Sequence, residues 1–257
     1  MILPQFYTDD IIKRAILEDI NYVDVASDYL IPEEQRNEAY FVSKADGVLC
    51  GIDVAMRVFE LLDDSFTAKV YMHDGDKVKK GDLIAEFSGK TTLLLKGERT
   101  ALNLLQHMSG IATATAKAVK LCEGTKASIA DTRKTLPSLR ALQKYAVTCG
   151  GGKNHRFNLS DCAMLNDNHI DAGGGITGAV KKLRGRIGHT VKIEVETRNL
   201  DEVKEAVSAG ADIIMLDNMD CDTMKKAVEI IDGKALTEAS GGITDETIPG
   251  VAACGVD

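Results

Sequence analysis

The sequence has no apolar run approaching the roughly 18–20 residues that a membrane-spanning helix needs. Its opening, Met1-Ile2-Leu3-Pro4-Gln5, reaches Asp9-Asp10 too soon to read as a secretory leader, so a cytosolic protein is the expectation. It has no Walker pattern. It has no cysteines at C-x-x-C spacing: Cys50, Cys122, Cys149, Cys162, Cys221 and Cys254 are scattered, which signals neither zinc nor a disulfide framework and leaves them as reduced fillers. Nor does it have a basic excess. A net charge of −8 and a pI near 5.2 exclude non-specific nucleic-acid binding, which needs a cationic face, and point to a small ligand.

Against that acidic background one stretch stands apart. Between residues 131 and 156 lie Arg133, Lys134, Arg140, Lys144, Lys153 and Arg156 against the single carboxylate of Asp131. Such an island serves to hold a polyanion through charge-assisted, often bidentate, hydrogen bonds.

At 257 residues the chain is long enough for one barrel or two smaller domains. Thr8 reads as the N-cap of a first helix with the stripe Ile11, Ile12, Ala15, Ile16, Ile20. From Ala39 to Gly89 short alternating segments broken at Asp46-Gly47, Asp74-Gly75-Asp76 and Lys80-Gly81-Asp82 read as a small sheet domain with solvated turns. Leu93 to Cys122 reads as two helices joined near Ser109-Gly110, with Arg99 in a first turn. A cation there opposes the helix dipole, so Arg99 is either a plain surface charge or a residue aimed at an anion outside its own domain.

Beyond Lys126 apolar strands alternate with helices, and each strand ends in polar residues: Asp131-Thr132-Arg133-Lys134 after Ala127–Ala130, Asn166-Asp167-Asn168-His169 after Cys162–Leu165, Glu196 after Val191–Val195, Asp217 after Ile213–Leu216, and Glu238 to Gly242 after Ala235–Thr237. Asn199 with Glu202 reads as a capping box, Asp222 as the next cap, and Gly210 and Gly233 as C-caps. Continuous apolar strands alternating with helices belong to a covered parallel sheet. The expected fold is an incomplete α/β (TIM-like) barrel behind an N-terminal α+β sheet domain, and an open doubly wound sheet is the alternative. In a barrel the strand ends converge on one mouth, gathering Arg133, Lys134, His155, Arg156, Asn166, Glu196, Asp217 and Ser240. Glu196 and Asp217 could simply cap helices, yet two carboxylates facing cations also suit Mg²⁺ with substrate phosphates. His155 and His169, each taken alone, read as structural histidines.

The strings Gly97-Glu98-Arg99-Thr100-Ala101-Leu102-Asn103-Leu104, His107-Met108-Ser109-Gly110-Ile111-Ala112-Thr113, Asp131-Thr132-Arg133-Lys134-Thr135, Lys153-Asn154-His155-Arg156, Asp167-Asn168-His169, Glu194-Val195-Glu196 and Glu238-Ala239-Ser240-Gly241-Gly242 resemble, in order, the nicotinate-nucleotide pyrophosphorylase (carboxylating) family, also called quinolinate phosphoribosyltransferase. The resemblance implies an N-terminal domain over residues 1–108 that covers the partner's active site, a catalytic barrel over 109–257, and a homodimer with shared sites or a hexamer. It implies conversion of quinolinate and phosphoribosyl pyrophosphate to nicotinate mononucleotide, pyrophosphate and CO₂, with Mg²⁺. Catalytic roles fall on Arg133, Lys134, Glu196 and Asp217, the last two also on the metal. Substrate binding falls on Thr132, His155, Arg156 and Asn166, on Arg99 across the subunit boundary, and on Ser240, Gly241 and Gly242 at the 5′-phosphate. A different reading is a non-catalytic or molybdenum-transport-associated paralogue that binds an anion.

Overall fold

A computed structural model describes residues 2–257; Met1, the first residue of the opening discussed above, lies outside them. The chain divides into two compact units. One comprises the described residues through Lys117 together with Ala130–Asn154, and the other Ala118–Ile129 with His155–Asp257.

In the first unit, α1 (Gln5–Asp19) begins at Pro4, whose ring presets a helix-compatible φ of −65°. Thr8 is therefore not the cap. It sits inside the helix, buried, with its hydroxyl donating to the Gln5 carbonyl, because local back-bonding lets a threonine occupy a first turn as readily as precede it. After α2 (Ser27–Leu30), β1 (Arg36–Val42), β5 (Leu83–Lys90) and β3 (Thr67–Val70) form an antiparallel sheet in the order β1-β5-β3, and β2 (Gly47–Val48) pairs with β4 (Lys77–Val78).

Within the stretch expected to hold only strands lies a helix, α3 (Ile52–Glu60). Six of its residues, Ile52, Val54, Ala55, Met56, Val58 and Phe59, are buried, so apolar residues wrap most of its circumference and leave no single stripe to betray the helical period. Its N-cap is Gly51 at φ 96°, which has no side chain to offer; Asp74, from the β3–β4 turn, accepts from both the Gly51 and the Ile52 N–H at 2.8 and 3.0 Å. That turn carboxylate is a capping residue rather than solvated punctuation.

The expected helix pair is one continuous helix, α4 (Thr91–Leu121), 31 residues long. Ser109 and Thr113, one turn apart, face the β2–α3 connection: Ser109 Oγ accepts from the Cys50 N–H at 3.0 Å and Thr113 Oγ1 from the Val48 N–H at 2.9 Å. The Ser-Gly pair is a docking point, not a break. Gly97 is likewise inside the helix, where a Cβ would stand 2.8 Å from the Phe59 ring. Phe59 stacks on Phe87 (centroids 5.0 Å) and Phe87 meets Phe41 edge-on (4.9 Å), forming the aromatic centre of this unit's core. The unit is completed by α5 (Arg140–Cys149). The segment Ala127–Ala130 is not a strand; it makes one isolated parallel bridge, Ala130 to Lys153.

The second unit is an α/β assembly: β6 (Ala163–Leu165), β7 (Ile193–Thr197), β8 (Ile213–Asp217) and β9 (Leu236–Ser240) run parallel in that spatial order, the sheet of an incomplete α/β barrel. Between them come α6 (Asp167–Gly173), α7 (Ile176–Arg184), α8 (Leu200–Ala209) and α9 (Cys221–Ile231), with α10 (Ile248–Ala252) after β9. The strands are not apolar on both faces. Leu165, Ile193, Val195, Ile214 and Leu216 pack on Val203, Ala206, Met224 and Ala227 of the covering helices, and the alternate positions carry Met164, Glu194, Glu196, Met215, Asp217, Glu238 and Ser240.

The helix caps hold in part. Asn199 caps α8, accepting from Asp201 and Glu202 N–H, but Glu202 reaches back to the Arg198 N–H, so the box is half closed. Asp220, not Asp222, caps α9; its carboxylate accepts from Thr223 N–H at 2.8 Å, the three-residue reach that Asp222 inside the first turn lacks. Gly210 is the left-handed C-cap of α8 as expected, whereas Asp232 takes that place in α9 and Gly233 follows it. No helix of the described residues is long and apolar enough to cross a membrane.

Candidate active site

The carboxylate-bearing face of the second unit's sheet is built by strand register. Glu196 pairs with Met215 and Met215 with Glu238; Asp217 pairs with Ser240 one layer further along. Glu196 is next to last in β7, and Asp217 and Ser240 are the last residues of β8 and β9, so the side chains expected at strand ends do lie there.

His155 joins this face through two carboxylates that motif reading passed over. Its Nε2 lies 3.0 Å from Oε2 of Glu194 and 3.3 Å from Oε2 of Glu238, and Glu194 is wholly buried. Nδ1 lies 2.8 Å from the Arg156 backbone nitrogen, so the ring stands with Nε2 towards the carboxylates. Glu194 first and Glu238 second push the imidazole's pKa up to about 10. The signal for both was available: each stands two residues before a strand-end candidate, Glu196 or Ser240, hence on the same face of its strand.

Because the folded-state pKa is raised above the ordinary 6.5, the contribution of this cluster to stability is complete below about pH 6.5 and fades as pH climbs through about 10. Glu238→Gln removes one of the two attractions and is expected to lower the His155 titration midpoint, read by NMR of the labelled imidazole. A midpoint that stays in place would detach Glu238 from the ring.

Arg156 is held by neutral groups. One guanidinium nitrogen donates to the Cys162 carbonyl at 3.1 Å, another approaches the Met164 sulfur at 3.2 Å, and it makes no ion pair among the described residues. Its charge is thus left for an anion from outside.

Glu196 and Asp217 also lack ion pairs within the described residues; the carboxylate of Asp217 takes a hydrogen bond from the Asn218 amide at 2.8 Å. Burial, then the charges of Asp217 and Asp167, hold the Glu196 carboxyl above its usual range. Neighbouring carboxylates that repel one another, with oxygen donors only, fit a hard divalent cation such as Mg²⁺. Beside them the chain turns at Gly241 (φ 91°), where a Cβ would collide with the Asn218 amide oxygen. That amide approaches the backbone so closely that only glycine fits.

Asn166 is the N-cap of α6. Its side chain accepts from the His169 N–H at 3.2 Å and the His169 ring in turn meets the Asn166 N–H, a closed capping box. His169 is thereby the structural histidine that its type alone suggested.

In the first unit, Arg133 is half-buried, and its Nε is wholly buried with no hydrogen-bond partner among the described residues. An orphaned buried donor of a charged group is costly unless a ligand meets it. Thr132 Oγ1 accepts from the Lys134 N–H at 3.0 Å, so that hydroxyl shapes the turn, while the Lys134 side chain is exposed. Arg99 is exposed, and because α4 starts at Thr91 it lies in the third turn, where the dipole argument raised for a first turn has no force. Not all of the cationic island is free. Lys144 is 1% exposed and paired with Asp131, whose other oxygen takes the Asn154 amide at 2.6 Å. Arg140 Nε donates to Thr135 Oγ1 at 3.0 Å.

Residues 24–109 match the family described as quinolinate phosphoribosyl transferase, N-terminal domain, and residues 111–257 its C-terminal domain. A probable nicotinate-nucleotide pyrophosphorylase (carboxylating) of Bacillus subtilis (strain 168) is 44% identical over 247 residues, covering 96% of this chain and 85% of that one. The chloroplastic nicotinate-nucleotide pyrophosphorylase (carboxylating) of Arabidopsis thaliana is 40% identical over 272 residues, covering 98% and 78%. The crystal structure of NadC from Streptococcus pyogenes superposes with a TM-score of 0.94 at 41% identity, covering 97% of this chain and 88% of that one. With both halves matched and relatives this similar along almost the whole length, the chain belongs to the quinolinate phosphoribosyltransferase family.

Proposed function

We propose that the protein transfers the phosphoribosyl group of phosphoribosyl pyrophosphate to the ring nitrogen of quinolinate, releasing pyrophosphate and CO₂ and yielding nicotinate mononucleotide for NAD biosynthesis. The observation that carries this reading is the unpaired Arg156 guanidinium beside a His155 fixed by Glu194 and Glu238, on a face that also bears Glu196 and Asp217. That combination offers cationic and hydrogen-bonding groups to a dicarboxylate and a carboxylate pair to a metal–phosphate complex.

Arg156, His155, Arg133 and Lys134 bind the quinolinate carboxylates and donor phosphates. Ser240, Gly241 and Gly242 offer hydroxyl and backbone N–H groups to the 5′-phosphate, and Thr132 and Asn166 lie in turns that shape the site. The pyridine nitrogen attacks C1 of the ribose as pyrophosphate departs with the bonding pair. The quaternised ring then accepts the electrons of the breaking carboxylate bond, and the ring carbon takes a proton. The side chains position the reactants and stabilise charge; no covalent nucleophile is needed. Glu196 and Asp217 would hold Mg²⁺, which when bound screens the pyrophosphate charge as it leaves.

The protein acts in the cytoplasm as a homodimer or a hexamer, residues 1–108 of one subunit covering the partner's catalytic domain, residues 109–257. Arg99 is then supplied across the boundary, which gives an exposed mid-helix arginine a use. Incubation with quinolinate, phosphoribosyl pyrophosphate and Mg²⁺ should yield nicotinate mononucleotide; quinolinate binding without product would instead favour an anion-binding paralogue. Mixing inactive Arg99→Ala subunits with inactive Arg133→Ala subunits is expected to restore part of the activity, since some mixed dimers carry one intact site. No recovery after verified exchange of subunits would count against a shared site.

A further inference from the structure

The first unit brings together two cysteines that lie about a hundred positions apart in the chain. Sγ of Cys50, Sγ of Cys149 and a carboxylate oxygen of Asp74 lie within 4.8 Å of one another. All three side chains belong to well-anchored backbone. Cys50, fully buried, precedes the Gly51 N-cap of α3; Asp74 is in the β3–β4 turn; Cys149 is the last residue of α5. Asp74 Oδ1 already accepts from the Gly51 and Ile52 N–H groups, which pins the carboxylate.

Two sulfurs and one carboxylate oxygen converging on one point form a donor set that suits zinc and not magnesium, which prefers oxygen throughout. We propose that Cys50, Asp74 and Cys149 hold a zinc ion that ties the start of α3, the β3–β4 turn and the end of α5 together, with a water in the fourth position. On binding, the two S–H bonds give way to two S–Zn bonds and both protons pass to solvent; zinc stays divalent, and neither oxidant nor reductant takes part. The consequence is local to this unit. α5 runs directly into Gly150, whose Cα lies so close to α4 that a Cβ would stand 2.4 Å from the Ala112 carbonyl oxygen. Fixing Cys149 fixes the backbone that leads through Gly150–Gly152 to Lys153.

The test uses the full chain expressed in zinc-supplemented medium, with metal content measured by plasma mass spectrometry. About one zinc per chain is expected, as for a single structural site. Its removal by a chelator should lower Tm and its return restore it, and cadmium titration of the stripped protein should raise a thiolate-to-metal charge-transfer band. Cys149→Ser and Asp74→Asn are expected to weaken zinc binding by about tenfold or more while far-UV circular dichroism stays unchanged. Asp74→Asn is the decisive variant, because the amide oxygen preserves the α3 cap and removes only the charged ligand. Only trace zinc after reconstitution would overturn the proposal, as would zinc retained equally in both variants or a Cys50–Cys149 disulfide recovered by peptide mass spectrometry in its place.

Discussion

Arg156→Ala is expected to lower kcat/KM by roughly 30- to 5,000-fold, the equivalent of about 2–5 kcal/mol of lost transition-state binding, the range for truncating one partner of a buried charge pair. The expectation rests on what surrounds the guanidinium. A carbonyl oxygen and a thioether orient it at 3.1 and 3.2 Å without neutralising it, so its charge is available in full to a substrate carboxylate. An arginine already paired with a protein carboxylate would matter far less. Steady-state kinetics with each substrate varied in turn separate the possibilities: the loss should be strongest in the quinolinate dimension, and an unchanged kcat/KM would remove Arg156 from the site. Arg156→Lys should recover little, since a point charge on a flexible stem cannot hold both the Cys162 carbonyl and a carboxylate in one plane.

Lys144→Met is expected to reduce stability by about 3–5 kcal/mol, or roughly 6–20 °C in Tm, because it leaves the Asp131 carboxylate buried without its cation. The Asp131 side chain is only 7% exposed, so water cannot take over the role of the ammonium group. Adding Asp131→Asn to the same chain should return most of the loss, since the amide keeps a bond to Asn154 and no longer needs a counter-charge. Thermal denaturation of the single and double variants decides it; a single variant within about 1 kcal/mol of the parent would show that the pair is solvated and carries little.

Lys144 also shows where the sequence was readable and where it was not. Charge counting finds a cationic island, but a count cannot tell a lysine that faces a ligand from one that is buried against a carboxylate thirteen positions earlier; only the packing of the middle of α5 on Asp131 makes that distinction. The strand-end positions of Glu196, Asp217 and Ser240 were legible because parallel strands end where apolar runs end, whatever the tertiary detail. Glu194 and Glu238 were equally visible as letters. They escape notice because Met164 and Met215 on the polar face hide the alternation of period two, so the strands read as apolar throughout. The same masking by apolar residues concealed α3, whose burial on most sides erased its period, and it joined two expected helices into α4 by turning Ser109 from a breaker into a docking contact. Cys50 and Cys149 could not be associated at all, since their meeting depends on the packing of segments remote in the chain.

The core of the second unit contains no aromatic ring: it is Leu, Ile, Val, Ala, Met and Cys throughout. Phe157 is the single aromatic residue in that unit's sequence, and with no tryptophan anywhere every tyrosine falls in the first unit. Tyrosine emission and near-ultraviolet ellipticity will therefore follow almost solely the melting of the phenylalanine-centred unit. The carboxylate-bearing sheet could loosen without an optical trace, and methyl resonances are the probe that would see it.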